Sequence, residues 1–487
     1  VAGVLAELET DYLVIGAGAS AMAFVDELIG SSDAEVVIVD RRHAAGGHWI
    51  DAYPFVQLHQ PSAYYGVNSL PLGADRRQTT GLDAGFYERA TKAELVAYYE
   101  RVLREVFLPS GQVRFVANHD YRGRDGDCHV IGSTVSGVDT HVRVRRRLVD
   151  ATYVSSEIPA THRPDFGVER GAHLMTPNEL VHLGDVPDTF TILGGGKTAM
   201  DTCGWLLDAG VDPEAIVWVR PRDGWFVDRS TTQPFEQSVK MIEYQARLLE
   251  AVANEPDGTG LAHHLADHGL FHRLDQHCEP EVFRGATVSV GELERLRQVR
   301  NVVRLGRVRY LTATELTLEG GSMTSSRRNV YVNCTAQGLA TSPVAPIFQP
   351  DRILIQFTTL GVAPWSAAIL GHVAALDLAD NERNRLCRPV PRTGLIADYF
   401  DVLRAGFAAE AQRRADAQLQ AWAAGARLNP GRHIPDVIGE PEAQEMVALM
   451  MTSLQPALDV LGAVPAPAGS MTSSSDEQPA TIGPASE

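Results

Sequence analysis

The chain has 487 residues, 44% apolar and 21% charged, the composition of a globular protein with room for two or three domains. Its formal charge of −18, from 61 acidic and 43 basic residues, argues against a broad basic surface, and so against nucleic acid or an anionic membrane as partner. No stretch reaches the roughly 18 apolar residues of a bilayer span, and five cysteines with no C-x-x-C pair leave neither a redox dithiol nor a zinc ribbon and fit a reducing cytoplasm.

Residues 1–11 carry Glu7, Glu9 and Asp11, so no secretory leader is expected there. An apolar strand at 12–15 runs into Gly16-Ala17-Gly18-Ala19-Ser20-Ala21 and a helix to about Leu28. A second strand, 36–39, ends at Asp40. A helix start offers free N–H groups and a partial positive charge to a pyrophosphate. Gly16 and Gly18 allow the tight turn and the backbone's approach to phosphate, and Ala21 stands in the third glycine place. Asp40, 22 residues after Gly18, is placed to accept ribose hydroxyls. Residues 113–144 read as a β-meander that closes on 148–152.

The next motif is Gly46-Gly47-His48-Trp49, followed by Tyr53-Pro54 and His59-Gln60-Pro61-Ser62. With the glycine turn and Asp40, this segment resembles the flavin-containing and Baeyer–Villiger monooxygenases. The resemblance implies FAD as cofactor, with Gly47, His48 and Trp49 against the isoalloxazine or ribityl chain and His59 and Gln60 near its reacting edge as the catalytic candidates. Ala19, Ser20, Arg41 and, on a later returning strand, Gln356 are counted with the cofactor-binding residues. The sequence departs from the families in their linker motif, Phe-x-Gly-x-x-x-His. Here 166–175 reads Phe-Gly-Val-Glu-Arg-Gly-Ala-His-Leu-Met, and Ala151-Thr152 is followed by Tyr153 rather than glycine.

The order of elements then repeats. Strand 190–193 leads to Gly194-Gly195-Gly196-Lys197-Thr198-Ala199, a helix to about Leu207 and strand 216–219. A meander at 302–318 closes on 330–336. Gly16 to Thr152 spans 136 residues and Gly194 to Thr335 spans 141, a match that supports two copies of one unit. Gly194, Gly196, Lys197 and Thr198 are read as a second phosphate cradle. Arg220 and Arg222 stand where the first copy has its acid, so this site is expected to prefer the 2′-phosphate of NADPH to the bare ribose of NADH.

An insertion at 224–300, with helices at 235–252 and from 290, carries Trp225, Phe226, Phe235, Phe271 and Phe283 and reads as a substrate-shaping lid. Within it, His264, His268 and His272 lie four apart, but Gly269 interrupts the run, so an exposed helix or lid is read there and no metal is assigned. The chain returns through 353–357 and an apolar stretch, 365–379. A long helix is expected over 394–424, another over 440–461, and disorder over 463–487. No G-x-S-x-G elbow or G-x-x-x-x-G-K loop is present, which argues against a hydrolase or a triphosphatase.

The expected fold is α/β, two Rossmann-like dinucleotide-binding domains with C-terminal helices. The FAD domain comprises 1–184 and 320–392, the NAD(P) domain 185–319, and the helical region 393–462. The resemblance implies an FAD-dependent, NADPH-reduced monooxygenase that inserts one atom of molecular oxygen into a small organic substrate through a peroxyflavin. An NAD(P)H-dependent reductase or oxidase is the alternative. Oligomeric state, a homodimer included, stays open.

Overall fold

The computed structural model describes residues 7–339 and 341–463, so the tail expected beyond Ala463 lies outside the described residues. Strand β1 (Glu7–Ile15), helix α1 (Ala19–Gly30) and strand β2 (Val36–Asp40) form the first β-α-β start. Helix α2 (Lys92–Val102) follows, then β3 (Val113–Ala117), β4 (His119–Asp125), β5 (Cys128–Ser133) and β6 (Asp139–Asp150). The second unit has β7 (Thr189–Leu193), α3 (Lys197–Asp208) and β8 (Ile216–Val219). The insertion holds β9 (Gly224–Asp228), α4 (Val239–Asn254), α5 (Gly258–Asp267), β10 (Phe271–Arg273), β11 (Val282–Val288) and α6 (Val290–Leu296). Then come β12 (Asn301–Val303), a meander β13 (Val308–Leu311), β14 (Glu315–Leu318) and β15 (Gly321–Thr324), and β16 (Asn329–Asn333). The return is β17 (Arg352–Leu354) and α7 (Ala363–Ala375), and the C-terminal helices are α8 (Tyr399–Arg414), α9 (Ala417–Gly425) and α10 (Pro441–Ala463).

The first sheet has the order β3-β2-β1-β6-β5-β4, with β17 beside β6, and the second β12-β8-β7-β16 followed by the short strand Leu174–Met175. In both sheets the strands flanking the glycine turn are parallel and in register: Val14 faces Ile38, and Ile192 faces Trp218. Parallel strands covered on both faces read as unbroken apolar runs, and β2 (Val-Val-Ile-Val-Asp) is buried throughout. Helix α7, buried over Pro364 to Ala374, lies against α1 and closes the first core.

Four expectations change. Strand β3 belongs to the parallel sheet beside β2, not to the meander, which is β4-β5 and the first half of β6. The return boundary expected at 320 falls after Asn333, because β16 pairs with β7 along its whole length. The helix expected over 394–424 is broken, and Asp416 starts α9 afresh by accepting the Leu419 N–H at 2.9 Å. The lid aromatics Trp225, Phe271 and Phe283 are buried among α4, α5, α8 and α10, forming the core of a helical subdomain rather than the wall of a pocket. Phe226 packs in the second unit's core, and Phe235 lies between Tyr87 and His433.

Candidate functional site

The first cradle is built by the turn between β1 and α1. No side chain caps α1, whose N-cap is Gly18. Its first internal bond is from the Met22 N–H to the Gly18 carbonyl, so the N–H groups of 19–21 project beyond the helix. Asp40 is buried at the end of β2, where Oδ2 accepts the Ala17 N–H at 2.7 Å and Oδ1 accepts the Arg42 N–H at 2.8 Å. A carboxylate has further lone pairs for ribose hydroxyls.

The Gly46-Gly47 loop lies directly on the turn. At Gly47, φ is +57° and an added Cβ would stand 2.7 Å from the Cα of Gly18. Trp49 is buried and donates from Nε1 to the Tyr65 hydroxyl at 2.8 Å, with the His48 ring 4.8 Å away. Burial, and then the Arg42 charge, push His48 down to about 4. Arg41 is exposed, whereas the unpredicted Arg42 pairs with Asp51 at 2.5 Å. Ser20, Gln356, Ala363 and Ser366 line one cavity, which brings the first turns of α1 and α7 together. Gln356, however, uses its amide on the backbone of Ala345, accepting at 3.2 Å and donating at 2.8 Å, so it forms wall rather than a free hydrogen-bonding group.

The second cradle repeats this design. Helix α3 starts at Gly196 with no side-chain cap, leaving the Lys197 and Thr198 N–H groups projecting. Gly194 has φ +128°, and a Cβ there would fall 2.5 Å from the Cys334 carbonyl oxygen. Trp218 Nε1 donates to the Gly194 carbonyl at 2.8 Å and holds the turn. The Lys197 ammonium does not face this cradle. It bonds Asp201 at 2.6 Å and Glu292, because an ammonium taken out of water needs carboxylates close by. Arg220 is buried over the Trp218 ring at 4.9 Å, with Nη1 3.2 Å from Asp223 and Nε without a partner. It lines a cavity of about 270 Å³ with Asp275, Arg297, Arg300 and Arg304. Arg222 is exposed.

The two cradles share one junction. The loop that follows the first cradle lies along α3. Tyr53 donates its hydroxyl proton to Asp201 at 2.7 Å, Phe55 stacks on Trp205 at 5.1 Å, and Thr287 donates to the His59 carbonyl at 2.7 Å. Beneath it runs a chain of charges. Lys197 meets Asp201 and Glu292, the fully buried Arg229 meets Glu292 at 2.5 Å and Asp83 at 2.8 Å, and Asp83 meets Arg89 at 2.5 Å. Burial raises the Glu292 carboxyl, but the charges of Lys197 and Arg229 outweigh it and hold the group far below the usual range.

The His59 ring lies among these charges. Burial first, then Lys197, push it down to about 4, so at neutral pH it is an uncharged hydrogen-bonding group. Gln60 donates from Nε2 to the Tyr64 carbonyl at 3.2 Å, which ties it to its own turn. Sequence reasoning missed Asp83, Arg89, Asp201, Arg229 and Glu292. They are brought together only by the fold, and no local spacing marks them.

Both cradles fit a dinucleotide. Each keeps uncapped helix N–H groups and glycines at positions a side chain would fill, and the first has a buried carboxylate at ribose distance in sequence while the second has a buried guanidinium with a free Nε.

No family model matches the chain. It is 38% identical over 445 residues to Uncharacterized protein Rv2000 of Mycobacterium tuberculosis, covering 91% of this chain and 82% of that one, and Uncharacterized protein Mb2023 of Mycobacterium bovis gives the same figures. Among solved structures, a polycyclic ketone monooxygenase from the thermophilic fungus Thermothelomyces thermophila aligns with a TM-score of 0.52 at 12% identity, over 94% of this chain and 90% of that one. The fold is accordingly α/β with two Rossmann-like units.

Proposed function

We propose that this chain, which belongs to the same family as Rv2000 of Mycobacterium tuberculosis, is an FAD-dependent, NADPH-reduced monooxygenase acting on a small organic substrate. The observation that carries the reading is the junction: the loop over the first cradle lies on the helix that starts the second, so two dinucleotides would extend into one cleft. Bound FAD would supply hydride acceptance and oxygen activation, chemistry that belongs to the cofactor.

The chain's own residues would bind and orient. The α1 N-terminus and Asp40 would hold the FAD pyrophosphate and ribose, with Gly47 and Trp49 closing over them. The α3 N-terminus would hold the NADPH pyrophosphate. Arg220, whose Nε has no partner, would turn to the 2′-phosphate together with Arg304. Neutral His59 would offer one hydrogen bond at the junction without adding charge, and the paired charges around it would keep Lys197 and Arg229 fixed while water is excluded.

The linker favours a second reading, a reductase or oxidase that inserts no oxygen. Gly167 pairs with Tyr310 in a small sheet and His173 is exposed, so this segment is used structurally. Oxygen uptake against a panel of ketones and sulfides, with product masses, tests the proposal. Products heavier by one oxygen atom support it, and hydrogen peroxide equal to the NADPH consumed with every compound overturns it. Arg220→Ala should cost about 1.5–3 kcal/mol of NADPH binding, roughly 10- to 150-fold in its KM, and leave that for NADH unchanged. Equal losses for both would remove Arg220 from the 2′-phosphate site.

A further inference from the structure

The histidine run in the insertion separates into groups with different partners. His263 meets Glu279 at 3.0 Å. His272 lies beyond Gly269, whose φ of +71° ends the helix, and meets Asp228 at 2.6 Å. His264 on α5 and His268, the residue that ends it, stay together, four residues apart with rings stacked at 4.9 Å. Opposite them, on α4, is Glu250.

We propose that Glu250, His264 and His268 form a binding site for a divalent transition-metal ion of the zinc class, bracing α4 against α5. One ligand atom from each residue lies within 4.8 Å of the others. In a tetrahedral zinc site such atoms stand about 3.4 Å apart, so a small rotation of the exposed His268 closes the set. Two nitrogens and a carboxylate oxygen suit zinc and leave a fourth position for water.

A second observation points the same way. A metal-bound imidazole donates its other N–H to a carbonyl or carboxylate, which fixes the ring and its tautomer. The His268 ring has that support. His268 Nδ1 is 2.9 Å from the His264 carbonyl, and because a carbonyl only accepts, this nitrogen carries the proton and Nε2 presents its lone pair. His264 directs Nε2 at Glu250, 3.2 Å away, while Nδ1 lies 3.7 Å from Glu255. Glu250 is itself held by Arg247 at 2.8 Å. Asp257 caps α5 by accepting the N–H groups of Thr259 and Gly260, both at 2.9 Å, so the helix that carries His264 and ends at His268 has a fixed start.

The site is independent of the redox reading and is tested without activity. The full chain, stripped with a chelator and dialysed, is titrated with zinc in competition with a chromogenic zinc indicator, and its thermal midpoint is followed with and without zinc. One zinc per chain and a raised midpoint are expected. His268→Ala and Glu250→Gln should abolish both effects, and His263→Ala, which removes a ring paired with Glu279 instead, should change neither. The site is overturned if the full chain takes up no zinc, or if uptake survives His268→Ala and Glu250→Gln undiminished.

Discussion

His59 and His48 are each held down to about 4, below the ordinary histidine value of 6.5. The unfolded chain therefore binds more protons than the folded one between these values, and stability is lost as pH falls from about 6.5 towards 4. Urea unfolding of the His48→Gln, His59→Gln double variant should show a flatter loss across that window than wild type; an unchanged slope would contradict their placement. Glu292 makes a different prediction. Its removal leaves Lys197 and the fully buried Arg229 each short of a carboxylate, so Glu292→Gln should cost about 3–5 kcal/mol of stability. A cost below 1 kcal/mol on the same urea scale would mean the network is solvated. Residues at this scale were only half legible. Asp40 and Arg220 stand out by spacing from a glycine turn and His59 only through the family resemblance, whereas Arg229 and Asp83 are 146 positions apart and meet only in the folded chain.

The glycine turns were the most legible elements, since each needs a conformation and a close approach that few residues provide. Gly194→Ala combines an unfavourable φ with a Cβ 2.5 Å from backbone oxygen, whereas Gly196 has nothing within 4 Å of its would-be Cβ. Both variants should keep bound flavin. Gly194→Ala should lose reduction by NADPH, and Gly196→Ala should retain the fold with a circular dichroism spectrum like wild type. Loss of flavin from Gly194→Ala would mean the two cradles do not act as separate sites.

Other elements were less visible. Helix α2 does carry a start signal in the sequence, the capping box of Thr91 and Glu94. Strand β3 is separated from β4 by Asn118 alone, so in sequence it runs on into the meander, and local pattern could not separate a parallel strand from a hairpin strand. The insertion aromatics could not be assigned to core or pocket because the helices that cover them, α8 and α10, arrive from more than 100 residues later in the sequence.

For the whole molecule, the repeat of strand, turn, helix and strand at matched intervals makes two units legible in the sequence alone. The interface between them was not legible, because it depends on Tyr53, Phe55 and His59 from one unit meeting Asp201, Trp205 and Thr287 from the other. Among the described residues, no helix is long and apolar enough to cross a membrane. The central claim is that these two cradles serve one cleft, and it is tested most directly by mixing the purified flavin-loaded protein with NADPH in the absence of oxygen while following the flavin absorbance. The account predicts rapid bleaching in wild type and none in Gly194→Ala that still carries flavin. A protein that stays colourless after incubation with FAD, or a bound flavin that NADPH leaves oxidised, would contradict it.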